Sequence, residues 1–224
     1  MAFSPIFQRP FPATFDRRAA AAAASLAPVA GMAAWWKIDT ISASDGDLIG
    51  TWNDSSGGAN NLSQTSTARP TYKTAQINGY SCLRFDGSND CMATTGAIGC
   101  RTIFVVSKIA TLSDNNYVFD MRTSIANGYI YDGPGPFGPN WTALYVNKSS
   151  KTLTFANFAT NAWSLAVIQG SSTGTSAIRL MRYYNSGIAT HSGDIAEIII
   201  YADALSAGDR LTTETYLMSK YGIT

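Results

Sequence analysis

The sequence predicts an all-β chain folded as a large antiparallel sandwich, closed by one short C-terminal helix and preceded by an extended N-terminal arm. Three observations predict it. Cys82-Leu83-Arg84-Phe85-Asp86 alternates apolar and polar residues, the period of a half-buried strand, and breaks at Asp86-Gly87. Residues 195–201 form a β-rich run, Ile195-Ala196-Glu197-Ile198-Ile199-Ile200-Tyr201, that leads through Leu205-Ser206 into the final helix. Between them, residues 101–107, 163–168 and 177–184 are rich in β-branched or aromatic side chains and bounded by Gly, Ser or Asn.

Taken in order, the chain begins with a leader unlike the rest. Phe3, Phe7, Phe11 and Phe15 recur every four residues, and Pro5, Pro10 and Pro12 between them forbid one continuous helix. The leader therefore reads as an extended arm over residues 1–33, with a short helix running to about Ala24 for which Asp16 stands near the N-terminus. Burying the four rings against a partner supplies roughly 1.5 to 3 kcal/mol for each ring fully buried, and Arg17-Arg18 stand ready for a carboxylate on that partner. Arg17-Arg18 and the alanines also allow a twin-arginine export signal. An apolar stretch made mostly of alanine, Pro28 within it and the aromatic leader argue against that alternative.

Residues 34–224 form the body, which contains no linker. Trp35-Trp36 opens it, shorter strands cover residues 117–121, 128–131, 141–146 and 152–155, and residues 157–161 turn into the strand at Trp163. Only the end is helical. Ser206 caps it, Asp209 lies in the first turn, Leu211, Leu217, Met218 and Tyr221 supply the apolar face, and Gly222 ends it.

Composition narrows the functional classes. The chain has 224 residues, of which 46% are hydrophobic and 12% aromatic, enough for one substantial core. Charged residues make up only 14% and the net charge is +1, so no basic field recruits nucleic acid or an anionic membrane. No stretch of about 20 residues is continuously apolar, as a membrane span requires. Cys82, Cys91 and Cys100 read as small buried thiols in a protein folded in a reducing cytoplasm, although the Asp86-Gly87 turn leaves a Cys82–Cys91 bridge open.

Several segments together carry a family resemblance: Trp35-Trp36 with Ser44-Asp45-Gly46-Asp47 and the Asp54-Ser55-Ser56-Gly57 loop; Arg69-Pro70-Thr71-Tyr72; Phe85-Asp86-Gly87; and residues 195–201 with Ala204-Leu205-Ser206 and the helix to Tyr221. From about Ala34 to Thr224 the chain resembles the laminin-G-like jelly rolls of the concanavalin A-like lectin and glucanase superfamily, especially single-domain versions in bacterial surface proteins and bacteriophage virions. Cys91 departs from the pattern, where many relatives place an aromatic residue. The resemblance implies a jelly roll, and jelly rolls host lectins, enzymes and scaffolds alike.

The resemblance and the leader together lead to a non-enzymatic virion surface protein, made in the host cytoplasm. It would be a capsid decoration or head fibre anchored by its arm to a capsid or tail protein and homo-oligomeric on the particle. A tail adhesin, a bacterial surface lectin and a glycoside hydrolase are the competing readings. Hydrolysis needs two placed carboxylates, whereas the only glutamates are Glu197 on the closing strand and Glu214 on the last helix, and the paired-glutamate motif of the related glucanases is absent. His191, the single histidine, reads as part of a turn. Tyr129, Tyr131, Asp132, Phe137, Asn140 and Trp141 around the Pro/Gly-rich loop 132–139 combine aromatic platforms with fixed polar groups and are the candidate glycan surface. The reading that ranks ahead of it is a stiff connection whose aromatics pack on the sandwich or on a neighbouring subunit. No cofactor is expected. Calcium would favour the oxygen-rich loops at Asp54 with Asn60-Asn61 and at Asp86 with Asn89-Asp90, but turn-building is the commoner use of such residues.

Overall fold

The computed structural model describes residues 27–109, 117–122, 128–134, 136–159, 161–184 and 191–224. Its strands are β1 Ala34–Lys37, β2 Thr51–Trp52, β3 Leu62–Ser63, β4 Thr71–Ile77, β5 Tyr80–Asp86, β6 Met92–Thr94 and β7 Ile98–Ile109. They continue with β8 Tyr117–Asp120, β9 Tyr129–Tyr131, β10 Trp141–Val146, β11 Ser149–Lys151, β12 Ser164–Ser176, β13 Arg179–Leu180 and β14 Ser192–Tyr201. Among the described residues two α-helices join them, α1 Phe155–Phe158 and α2 Ala207–Tyr221, with one turn of 3-10 helix at Ile38–Thr40. The larger sheet runs β11-β10-β12-β7-β14-β5-β4 with β1 added on β14, and the smaller runs β2-β3-β6-β13-β8-β9. Every pairing is antiparallel, so the predicted all-β sandwich with one short C-terminal helix is the fold observed.

The near-continuous apolar run of β14 follows from burial on both faces. Ile195, Ile198 and Ile200 point into the core between the sheets, while Ala196, Ile199 and Tyr201 point outward into a second core roofed by Leu217 and Tyr221 of α2. The same division holds in β7, where Ile103 and Val105 face in and Phe104 and Val106 face out, and in β12. A register shift between Ile195 and Glu197 against β7 places Glu197 on the helix side. Trp36 and Trp52 fill the main core, and their indole N–H groups donate to the carbonyls of Asn60 and Lys37 at 2.9 and 3.0 Å.

Helix α2 begins and ends where its sequence says. Ser206 Oγ accepts from the Asp209 N–H at 3.1 Å, and Gly222 adopts φ +63°, the left-handed cap that a side chain would strain. Its buried stripe is more polar than expected: Arg210, Thr213 and Glu214 join Leu217 and Tyr221, while Leu211 is 41% exposed. Positions 210, 213, 214, 217 and 221 share one helical face, and position 211 lies well off it. Among the described residues no helix is long and apolar enough to cross a membrane.

Three expectations need revision. Residues 177–184 do not form one strand, because Met181 turns to φ +53° and only Arg179–Leu180 enters the ladder. Residues 152–155 do not form a strand, because Thr154 instead caps α1, its side chain accepting from the Asn157 N–H. No Cys82–Cys91 bridge forms, and all three cysteines are free and buried. Burial pushes the Cys82 thiol up to about 12.

Phe3, Phe7, Phe11, Phe15, Arg17 and Arg18 lie outside the described residues. The described end of the leader is fastened to the body. The Val29 N–H donates to Thr213 Oγ1 at 3.3 Å, its carbonyl accepts from the Tyr201 hydroxyl at 2.7 Å, and the Ala33 N–H donates to the Ile200 carbonyl at 2.7 Å.

Candidate functional site

The part of the Pro/Gly-rich loop at residues 136–141 folds back on the edge of the smaller sheet. Gly138 N–H donates to the Tyr129 carbonyl at 3.0 Å and Phe137 bridges Ile130, so the loop covers β9. Phe137 packs edge-on to Phe158, with centroids 6.3 Å apart. Asp132 is only 2% exposed and sits 3.3 Å from Nε2 of the buried His191, whose Nδ1 lies 2.7 Å from the Ser192 carbonyl and whose ring packs on Phe155. Trp141 is 5% exposed and packs so closely on Gly128 that a Cβ there would lie 2.6 Å from the indole. Asn140 uses its carbonyl to accept from the Ser171 N–H at 2.8 Å. Of the expected glycan surface, Asp132 and Trp141 are thus interior groups and Phe137 is half-buried. The Tyr131 side chain lies outside the described part of the structure.

One aromatic surface does form beside this loop, on the outward face of β8 and β9. Strand alternation points Phe119 and Ile130 into the core and leaves Asp120 and Tyr129 on the other face, opposite one another in register. Arg122 follows β8 and folds back over Asp120. Its Nε lies 3.0 Å from Oδ1 and a terminal nitrogen 2.6 Å from Oδ2, while the Arg122 and Tyr184 backbone N–H groups donate to the same carboxylate at 2.8 and 3.1 Å. Both side chains are buried. Four tyrosines surround the guanidinium: its carbon is 4.7 Å from the Tyr117 ring centroid, 4.1 Å from Tyr129, 5.0 Å from Tyr183 and 5.1 Å from Tyr184. Burial opposes the Arg122 charge, but hydrogen bonds to Asp120 and Tyr117 outweigh it and hold the guanidinium protonated.

This arrangement is a pre-set amphipathic surface. The buried ion pair fixes the cation, the cation attracts the ring faces, and the rings remain partly exposed at the surface of the smaller sheet. Tyr129 was legible in the sequence, whereas Arg122, Tyr117, Tyr183 and Tyr184, which come from two other segments, were not. The Tyr183-Tyr184 doublet was the one local signal.

The two glutamates are enclosed elsewhere. Glu197 accepts from Trp35 Nε1 at 2.6 Å, Lys220 Nζ at 2.7 Å and the Tyr221 hydroxyl at 2.8 Å, and Glu214 pairs with Arg210 at 2.7 Å, both carboxylates fully buried. The oxygen-rich loops are knit internally. Asp54 accepts from the backbone N–H groups of Trp35, Ser56 and Asn60, and Asp86 Oδ1 from those of Ser88, Asn89 and Asp90. Among the described residues no group of three or more His, Cys, Asp or Glu is placed to hold a metal ion. No family model, curated protein or solved structure matches the chain.

Proposed function

We propose that the protein is a non-enzymatic virion surface protein, a capsid decoration or head fibre with a laminin-G-like body. Residues 1–33 attach it to a structural protein of the particle, and its β-sandwich binds a host-surface glycan. The observation that carries the binding role is the set of tyrosines held over Arg122. Tyrosine offers an apolar ring for the C–H face of a sugar and a hydroxyl for its polar edge, and with two side-chain torsions it loses little entropy on binding. A binding rather than catalytic role is supported by the enclosure of Glu197 and Glu214 within structural ion pairs. The attachment role rests on the aromatic leader and on the family resemblance.

Glycan-array binding by the parent and by the Tyr129→Ala/Tyr183→Ala variant tests the first role. We expect array signals that the variant loses while its circular dichroism stays that of a β-sheet protein. Array signals that survive loss of both rings overturn the tyrosine site. For attachment, Phe7→Ala/Phe11→Ala is expected to release the protein from assembled particles, and parent attachment is expected to survive moderate salt, which screens exposed charges more than buried rings. A variant that stays attached as firmly as the parent overturns the anchoring role.

A further inference from the structure

Helix α2 covers only part of the outer face of the larger sheet. Beyond its footprint, register aligns one polar row across four strands: Thr71 of β4 opposite Arg84 of β5, Arg84 opposite Asp194 of β14, and Asp194 opposite Lys108 of β7. The Asp86–Asp90 turn borders one side of this row and Lys73 the other, around an open cleft of about 490 Å³ that Asn161 and Ser192 also line. That volume falls within the roughly 300–1,000 Å³ of small-ligand sites.

The cleft has donors to offer. Arg84 gives Nε and one terminal nitrogen to Asp194, at 2.7 and 2.8 Å, and its other terminal nitrogen makes no hydrogen bond among the described residues. Its side chain is 44% exposed. Lys108 is exposed and has no ion-pair partner among the described residues. Beside these cations stand acceptors, the carboxylates of Asp86 and Asp90, and the neutral Thr71, Ser192 and Asn161.

We propose that this cleft is a second binding site, for a sugar that carries a carboxylate. The ligand's acid group meets Arg84 and Lys108, and its hydroxyls donate to the Asp86 and Asp90 carboxylates. An acidic peptide or nucleic acid brings successive negative charges and meets repulsion from Asp86, Asp90 and Asp194. A neutral sugar leaves Lys108 without a counter-charge and Arg84 with only Asp194. The site lies on the opposite sheet from the tyrosines and does not depend on them.

Titration of the isotope-labelled full chain with glucuronate, glucose and polyglutamate, followed by amide NMR, tests the proposal. Glucuronate should shift the amides of Lys108, Arg84 and Asp194, with weakening as salt rises, while glucose at the same concentration and polyglutamate leave them unmoved. Lys108→Gln should weaken glucuronate binding about tenfold, the scale of one lost charge-assisted contact, and Tyr129→Ala/Tyr183→Ala should leave it unchanged. Equal shifts with glucose, stronger binding of polyglutamate, or parent-like affinity in a folded Lys108→Gln chain overturns the proposal. A glucuronate response lost only with the tyrosines assigns the ligand to the other site and overturns this one.

Discussion

Asp86 and Asp90 exchange hydrogen bonds across one turn, yet the turn moves them in opposite directions. Burial would raise Asp86, but three backbone N–H groups outweigh it and hold the carboxyl below its ordinary value. Asp90 is pushed up to about 6, chiefly by burial and further by the charge of Asp86. A raised acid favours the folded state when protonated. Its contribution is therefore complete below the ordinary 3.8 and is lost as pH rises through about 6. Asp90→Asn keeps an acceptor for the Asp86 N–H and removes that loss, so its melting temperature relative to the parent should climb between about pH 4 and pH 7. Thermal melts across that window check it; a constant difference would refute the assignment. At Arg122 the same logic has a larger scale. Arg122→Leu leaves Asp120 buried without its cation and should cost about 3–5 kcal/mol in denaturant titrations, whereas Asp120→Leu/Arg122→Met should recover most of that.

At the scale of elements, α2 is bolted to the sheet by polar as much as by apolar contacts. Lys220 bridges Glu197 and Asp39 at 2.7 and 3.0 Å, and Arg210 lies 3.7 Å above the Tyr145 ring while pairing with Glu214. Burial opposes the Lys220 charge, but Glu197 outweighs it and holds the ammonium above its ordinary value. Glu197→Gln should thus lower unfolding free energy by about 1–3 kcal/mol, the loss of charge-assisted hydrogen bonds, and leave any glycan binding untouched. Ser206→Ala should cost about 1 kcal/mol through the lost cap. The ends of α2 were legible in the sequence because Ser206 and Gly222 act locally. Its polar stripe was not, because no local pattern tells that Tyr145 of β10 lies under Arg210 and that Glu214 is enclosed with it. The strand pattern was legible in the same local way, in the β-branched runs of β7, β12 and β14. The early end of β13 was not legible, because the turn of Met181 to positive φ leaves no mark in the side-chain pattern.

For the whole molecule, both candidate sites depend on neighbours supplied by distant segments. The tyrosine patch needs β8, β9 and residues 183–184 together, and the cleft needs the register of β4, β5, β14 and β7. Periodicity announces a strand without naming its partner, so Tyr129 was found and Arg84 with Lys108 was not. The leader shows the same dependence: Val29 and Ala33 hydrogen-bond to α2, Tyr201 and β14. A chain beginning at Ala34 should keep its β-sheet circular dichroism but unfold with about 1–3 kcal/mol less stability than one beginning at Ala27. Equal stability would show that these contacts contribute nothing in solution.

Strand β14 sits where the sheet must close, with β7 along one edge and, on the other, β5 beside residues 192–195 and β1 beside residues 197–200. Trp35 reaches Glu197 across 162 positions of sequence. While the chain is being made, β1, β5 and β7 therefore emerge with open edges and wait for their common partner. Such delayed, long-range pairing places refolding in the millisecond-to-second regime. It also makes the interval before β14 arrives the time when stray strands from other chains compete most for those edges.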